Sequence, residues 1–407
     1  MNSTFLSVCV LGRQPALGLA ELESLYTPTT VSLISNQIAG LTLPTSQVDF
    51  KRLGGSTRLA QVVAEVPSKL WKDVEKQLAK SIATLAADMP EGKLRIGLST
   101  FGIPVTPAKL NASGLTLKKI LRAKTNRSVR LVPNPELELN TAQVLHNQLT
   151  GPTGVEMLVI ATSHGTTLLA HTTAVQDIDS YTIRDRGRPM RDARVGMLPP
   201  KLAQIIINLT TQDASPSQDA IILDPFCGTG VVLQEAALMG FGVYGTDLEP
   251  RMIQYTEKNL KWLLTLRDNP ITSTDEGADY YKIEVGDATN HIWKPTPTFI
   301  AGETYLGRPF TEQPSSEMIA LTISEVNLIL KRFLQNLSPQ IPSGTRLCLA
   351  VPAWQTRPHE FKHLPLVDQI EDLGYNRTRF EHVRDAELLY YREDQFTARE
   401  LLVLIKQ

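Results

Sequence analysis

The stretch Ile221-Ile222-Leu223-Asp224-Pro225-Phe226-Cys227-Gly228-Thr229-Gly230, continued by Val231-Val232-Leu233 and later by Val243-Tyr244-Gly245-Thr246-Asp247, decides the fold. It reads as a buried strand, a glycine turn, the start of a helix, and a second strand ending in a carboxylate. That order makes a nucleotide-binding crevice at the carboxyl ends of two parallel strands. Glycines let the backbone approach a ligand, and Asp247 can accept hydrogen bonds from ribose hydroxyls. The ligand this suits is not a dinucleotide. A pyrophosphate fingerprint needs G-x-G-x-x-G, whereas Gly228 and Gly230 are followed by Val231, Val232 and Leu233, and Asp224 opens the turn. A carboxylate there repels pyrophosphate and favours a cation.

The wording D-P-F-C-G-T-G at 224–230 resembles motif I of the S-adenosylmethionine-dependent methyltransferases that act on exocyclic amino groups of nucleic-acid bases. The resemblance implies S-adenosylmethionine as cofactor. The loop carrying Asp224, Gly228 and Gly230 would pass its methionine part, Asp247 would take the ribose and Asp287 would meet the adenine, with Phe226, Leu248 and Ala288 as further cofactor-binding residues. It implies no metal, since positioning and electrostatics around a sulfonium suffice for methyl transfer.

Working outward, 407 residues of ordinary apolar and charged content leave room for two or three packed domains. A net charge of -1 gives no global polyelectrolyte signal, so nucleic-acid affinity has to come from local clustering. Cys9, Cys227 and Cys348 are far apart and lack C-x-x-C spacing, which argues against a disulfide framework or a zinc site. The start of the chain lacks a basic leader, and no apolar run approaches a bilayer span. These readings lead us to expect a cytoplasmic, soluble protein with no membrane partner.

The amino-terminal part, 1–88, reads as a ferredoxin-like α+β region, with a helix expected at Thr57 to Val63 and another at Trp71 to Ala87. From Gly92 to Pro135 there is no Asp or Glu, yet Lys93, Arg95, Lys109, Lys118, Lys119, Arg122, Lys124, Arg127 and Arg130 lie there. One-signed clustering of this kind is a candidate phosphate-binding face, with Lys118, Lys119, Arg122, Lys124 and Arg127 as its RNA-binding residues. The alternative is the solvated side of a helix whose Leu117, Ile120 and Leu121 face a core. By pattern and position, 89–175 also resembles the THUMP domain, an RNA-binding module of tRNA-modifying enzymes.

A connector at 176–198 carries Arg188-Pro189-Met190-Arg191-Asp192, and Val195-Gly196-Met197-Leu198-Pro199-Pro200-Lys201-Leu202-Ala203 follows. The same wording joins the two halves of the THUMP-containing tRNA guanine-10 N2-methyltransferases of the archaeal and eukaryotic type, and the chain resembles that family along most of its length. The resemblance implies a Rossmann-like, doubly wound class I methyltransferase sheet over 199–407, preceded by the α+β and THUMP-like regions. It implies tRNA as the RNA substrate and leaves open whether a small activator subunit assists. In the carboxyl-terminal half we expect an acidic, turn-rich insertion at 267–279, a helix around Val367 to Leu373, and closing strands at Thr378 to Arg384 and Leu401 to Ile405.

One motif departs from the family. Amino-directed methyltransferases follow the fourth strand with an Asp or Asn, two prolines and an aromatic residue. The acid and a backbone carbonyl accept both amino hydrogens, which frees the nitrogen lone pair, and the ring stacks on the flipped base. Here the text is Gly302-Glu303-Thr304-Tyr305-Leu306-Gly307-Arg308-Pro309-Phe310. Glu303 takes the acid's place, and Tyr305 and Phe310 are the candidate stacking rings. Three readings stay open: Glu303 accepts the amine with one of these rings stacking, the site serves another nucleophile, or cofactor and RNA bind without turnover. The functional expectation is methylation of the exocyclic amine of a guanine in tRNA. The alternatives are a DNA amino-methyltransferase and a non-catalytic RNA-binding protein with a cofactor pocket.

Overall fold

The computed structural model describes residues 4–192, 198–266, 281–310, 314–357 and 359–407. The expected acidic insertion and Val195 to Met197 of the connector lie outside them. The chain divides into one unit of Met1–Leu19, Thr27–Lys51 and Gly55–Ser180, and another of Ala20–Tyr26, Arg52–Gly54 and Tyr181–Gln407.

The elements up to residue 175 are β1 (Ser7–Leu11), α1 (Pro15–Tyr26), β2 (Val31–Ser35), β3 (Ile38–Leu41), β4 (Ser56–Val66), α2 (Trp71–Ala87), β5 (Leu94–Phe101), α3 (Pro107–Thr125), β6 (Val129–Leu131), α4 (Thr141–His146), β7 (Gly154–Ala161) and β8 (Thr167–Val175). All eight strands form one sheet in the order β2-β3-β1-β4-β8-β7-β5-β6. Neighbours are antiparallel except that β5 runs parallel to β6 and β7. The regions expected at 1–88 and 89–175 therefore share a sheet, joined where β4 pairs β8 from Arg58↔Val175 to Val66↔Thr167. This also corrects the helix expected at Thr57 to Val63. Apolar spacing over so few residues is ambiguous between strand and helix, and here β1 and β8 on either side complete the backbone hydrogen bonding of a strand.

Val74, Leu78 and Ile82 of α2 and Leu110, Leu117 and Leu121 of α3 form a core with Leu94, Ile96, Leu98, Val155 and Met157 of the sheet. α3 starts where the Thr106 hydroxyl accepts the Lys109 N–H at 3.3 Å, with Pro107 in its first turn, and ends at Asn126 in the left-handed region. Deeper in this unit the fully buried Glu156 accepts the Ser99 and Thr172 hydroxyls at 2.7 and 2.6 Å and lies 3.5 Å from Arg58. Its buried charge is thus both paired and hydrogen-bonded.

Beyond residue 175 come α5 (Ile178–Thr182), α6 (Pro200–Thr211), β9 (Ile221–Asp224), α7 (Val231–Leu238), β10 (Gly242–Asp247), α8 (Pro250–Leu263), β11 (Tyr281–Val285), β12 (Phe299–Glu303), α9 (Ser316–Leu337), β13 (Arg346–Arg357), β14 (Glu360–Lys362), β15 (Tyr375–Arg377), β16 (Leu389–Tyr390) and β17 (Thr397–Lys406). The sheet order is β11-β10-β9-β12-β13-β17-β15, with β14 on β13 and β16 on β17. The first five of these strands are parallel, and β17 is antiparallel to β13 and β15. The chain lays β10 and β11 on one side of β9, then returns to lay β12 and β13 on the other. The order reverses between β9 and β12, which is where open α/β sheets bind ligands.

α9 buries Ile319, Ile323, Val326, Leu330, Phe333, Leu334 and Leu337 against a core that includes Trp354 and Tyr375. The helix expected at Val367 to Leu373 is instead two short 3-10 turns, Pro365–Gln369 and Glu371–Leu373, halted by Gly374 at φ 81°. The strand expected at Thr378 to Arg384 is also displaced. β15 lies just before it, and Thr378 reaches the sheet by its N–H to Val403 at 2.8 Å. Among the described residues no helix is long and apolar enough to cross a membrane.

Candidate active site

The β9–α7 loop is shaped by two glycines with positive φ, Gly228 at 53° and Gly230 at 80°. At Gly230 space matters as well as dihedral freedom, since a β-carbon would stand 2.8 Å from the Thr256 methyl of α8. α8 fixes the loop from outside: the Thr256 hydroxyl donates to the Gly228 carbonyl at 2.9 Å and the Asn259 amide to the Thr229 carbonyl at 2.9 Å. The Asn259 side chain also exchanges hydrogen bonds with both the N–H and the carbonyl of Met190, each at 3.0 Å. Arg184 donates to Glu235 of α7 at 2.7 Å, and Asp192 pairs with Arg251 of α8 at 3.0 Å. The connector after Tyr181 is thus built into this unit.

Four acids stand at the carboxyl ends of adjacent strands. Asp224 ends β9, Asp247 ends β10, Asp287 lies just past β11, and Glu303 ends β12. They line one cavity of about 700 Å³, together with Phe226, Gly228, Leu248 and Ala288. This size is ordinary for a small-molecule site. Gly230 is not among the lining residues and serves the loop's packing on α8 instead.

Asp247 is held at both oxygens, by the Gly228 and Glu249 N–H groups at 2.9 Å each. Burial raises its pKa, which those two hydrogen bonds oppose. Asp224 is 2% exposed and accepts the Phe226 N–H at 3.1 Å. Burial pushes its pKa well above the usual carboxylate range, against that hydrogen bond, and the charges of Asp247 and Glu303 add to the rise. A cation entering between these acids relieves both the desolvation and the repulsion. Asp287 accepts the N–H and hydroxyl of Thr289 at 2.9 and 2.7 Å, which closes its loop over the end of β11.

Glu303 lines the cavity, but one of its oxygens, Oε1, is taken by the Arg399 guanidinium of β17. Thr304 continues the β12–β13 pairing by donating its N–H to the Ala350 carbonyl at 3.0 Å. Both rings considered for stacking pack against the core of this unit, and of the two Tyr305 lines the cavity and Phe310 does not. Burial and the nearby Glu325 carboxylate raise the Tyr305 pKa. The sequence reading missed Arg251, Arg308, Glu325, Ile329 and Arg332 in the cavity wall. Glu325, Ile329 and Arg332 share one face of α9 by helical spacing, but a sequence does not say which face meets a cavity.

In the other unit, Lys119, Arg122 and Lys124 of α3 are exposed and Lys118 is half-buried. Among the described residues none of the four has an acid within ion-pair distance. Arg127 differs from them. Its guanidinium donates to the carbonyls of Gly92 at 2.9 Å, Pro90 at 2.5 Å, and Ala86 and Met89 at 3.4 Å each. It caps the end of α2, which corrects its placement in the phosphate-binding group.

A family model described as a DNA methylase matches residues 188–258, from the connector through the glycine loop to α8. This segment is similar to methylases. Two curated relatives sharpen the match. The chain is 47% identical over 66 residues to a tRNA (guanine(10)-N2)-dimethyltransferase of Methanothermobacter thermautotrophicus, covering 16% of this chain and 18% of that one. It is 38% identical over 92 residues to the enzyme of the same name from Pyrococcus abyssi, covering 23% and 22%. The matches thus span about a fifth of the length of these relatives. Among solved structures, TrmN from Thermus thermophilus is similar at 17% identity and a TM-score of 0.50, over 99% of both chains. That likeness shows the fold, and the second sheet is that of a class I methyltransferase.

Proposed function

We propose that this chain is an S-adenosylmethionine-dependent RNA methyltransferase acting on the exocyclic amine of a guanine in tRNA. The observation that carries this reading is the set of four acids, Asp224, Asp247, Asp287 and Glu303, around one cavity at the reversal point of the sheet. The names of the relatives matched over the glycine loop support the substrate class.

When bound, S-adenosylmethionine supplies a methyl group activated by a sulfonium. The residues present suit it: Asp224 and Asp247 favour positive charge, the glycine loop gives close backbone approach, and Leu248 and Ala288 offer an apolar wall. Asp247, oriented by two N–H groups, keeps lone pairs for ribose hydroxyls. Glu303 accepts a hydrogen of the target amine through Oε2, the oxygen that Arg399 does not hold, and so frees the nitrogen lone pair. Tyr305 stacks on the base. The bound donor would supply its methyl group to the amine nitrogen and leave as a neutral thioether, and the proton that the amine loses would pass to solvent. The exposed α3 cations of the THUMP-like region hold tRNA phosphates.

Incubation of the protein with labelled donor and unmodified tRNA, followed by mass spectrometry of nucleosides, tests this reading. N2-methylated guanosine is expected; tRNA without label would overturn it. The DNA description of the family matching 188–258 favours a second reading, an amino-methyltransferase of DNA. Label in duplex DNA and not in tRNA would establish that reading.

A further inference from the structure

We infer that Arg399 is the positioning residue that aims Glu303 at the target amine, an inference that rests on the proposed amine transfer. The backbone of Glu303 is fixed by pairing of β12 with β13, where Glu303 faces Ala350 and Thr304 adds one more hydrogen bond. Its side chain is not fixed by that pairing, since the carboxylate sits on a flexible two-methylene arm. Arg399 lies on β17, opposite Pro352 of β13, and reaches across β13 to donate its Nε–H to Glu303 Oε1.

The pair is shielded, with side-chain exposures of 7% for Arg399 and 15% for Glu303. Glu303 lines the cavity and Arg399 does not, so Arg399 acts through Glu303. The next residue on β17, Glu400, points to the opposite face, where it pairs with His363 and Arg377. Among the described residues Glu303 is therefore the ion-pair partner of Arg399. On its other side Glu303 is close enough to Asp224 for their charges to interact. Without Arg399 the two-methylene arm would be free to leave its present rotamer. With it, Oε1 is anchored and Oε2 is presented to the cavity.

Single-turnover methylation of tRNA, with cofactor and tRNA affinities measured separately, tests the role. Arg399→Gln should slow transfer by about a hundredfold, the scale of an ångström-sized misplacement, and leave both dissociation constants unchanged. Arg399→Lys keeps the buried charge but not the planar fork, so it should recover part of the rate. Adding Arg399→Gln to Glu303→Gln should cost nothing further, because both act on one hydrogen bond to the amine. Additive losses, or an unchanged rate in Arg399→Gln, would overturn the inference. A crystal structure of Arg399→Gln decides independently of turnover: Glu303 should leave its present rotamer, and an unmoved carboxylate would refute the positioning role. Failure of the unmutated protein to methylate any tRNA would instead refute the proposed function. Should Arg399→Gln not fold, Arg399→Lys carries the same rate and structural comparisons.

Discussion

The acid-lined cavity after β9 to β12 and the basic face of α3 are opposite solutions to binding charge. A formal net charge of -1 conceals both. In the cavity, carboxylates are withdrawn from water, and Asp224 and Asp247 have raised pKa values because burial opposes their charged forms. On α3, Lys119, Arg122 and Lys124 stay in solvent, where each charge is fully hydrated and screened. A few buried acids, amplified by low dielectric and fixed by backbone N–H groups, can recognise one cation in one orientation. Exposed cations act by number and are indifferent to sequence.

If buried, oriented charge is what separates the two regions, Glu303→Gln should have the largest effect of any single change. It preserves shape but replaces an acceptor oxygen with a donor group, so the transfer rate should fall by about two orders of magnitude or more. Rapid-quench measurement with labelled donor checks this; a normal rate would remove Glu303 from the chemistry.

Asp224→Asn sharpens the contrast because two of its effects should have opposite signs. Since the folded-state pKa of Asp224 lies above its ordinary value, the ionised carboxylate destabilises the free protein increasingly as pH rises through that raised value. The amide should therefore raise the melting temperature of the free protein at neutral pH and flatten its decline with pH. Cofactor affinity should weaken by roughly 1 to 3 kcal/mol, the usual scale for a missing charge-assisted hydrogen bond. Calorimetry and thermal melts report the two separately, and a variant that loses stability and keeps affinity would invert the reading.

Reversal of Lys118 and Lys119 to Glu should act more gently, weakening tRNA binding and flattening its dependence on salt by roughly 0.7 for each phosphate left without a neutralising cation. Cofactor affinity should stay as it is. An unaltered salt slope would return this face of α3 to simple solvation.

The smallest effect is expected at an ion pair outside the cavity. His363 Nδ1 lies 2.6 Å from Glu400 Oε2, and that hydrogen bond raises the His363 pKa. A raised folded-state pKa gives stability that is complete below the ordinary histidine value and is lost as pH rises through the raised one. With the His363 side chain 40% exposed, screening limits this contribution to less than about 1 kcal/mol. His363→Gln should lower the melting temperature more at pH 6 than at pH 9. Equal losses at both would indicate packing as the cause.

Spacing along the chain determined the cavity acids on β9, β10 and β11. Asp224 and Asp247 end short strands and Asp287 lies just past a third, and a parallel sheet brings the ends of neighbouring strands together. It also determined the positive-φ turn, because Gly228 and Gly230 precede an apolar helix start. Other assignments required the tertiary structure. Thr57 to Val63 became a strand through partners on both sides, Arg127 was taken by the carbonyls that end α2, and of the two half-buried rings that pack against the same core, Tyr305 alone also lines the cavity. Arg399 is far from Glu303 in sequence, and the two meet because β17 returns antiparallel beside β13. Local periodicity and turn chemistry act over a few residues and can be read in order. Which distant side chain reaches a given carboxylate depends on sheet order and register, and these exist once the whole chain has packed.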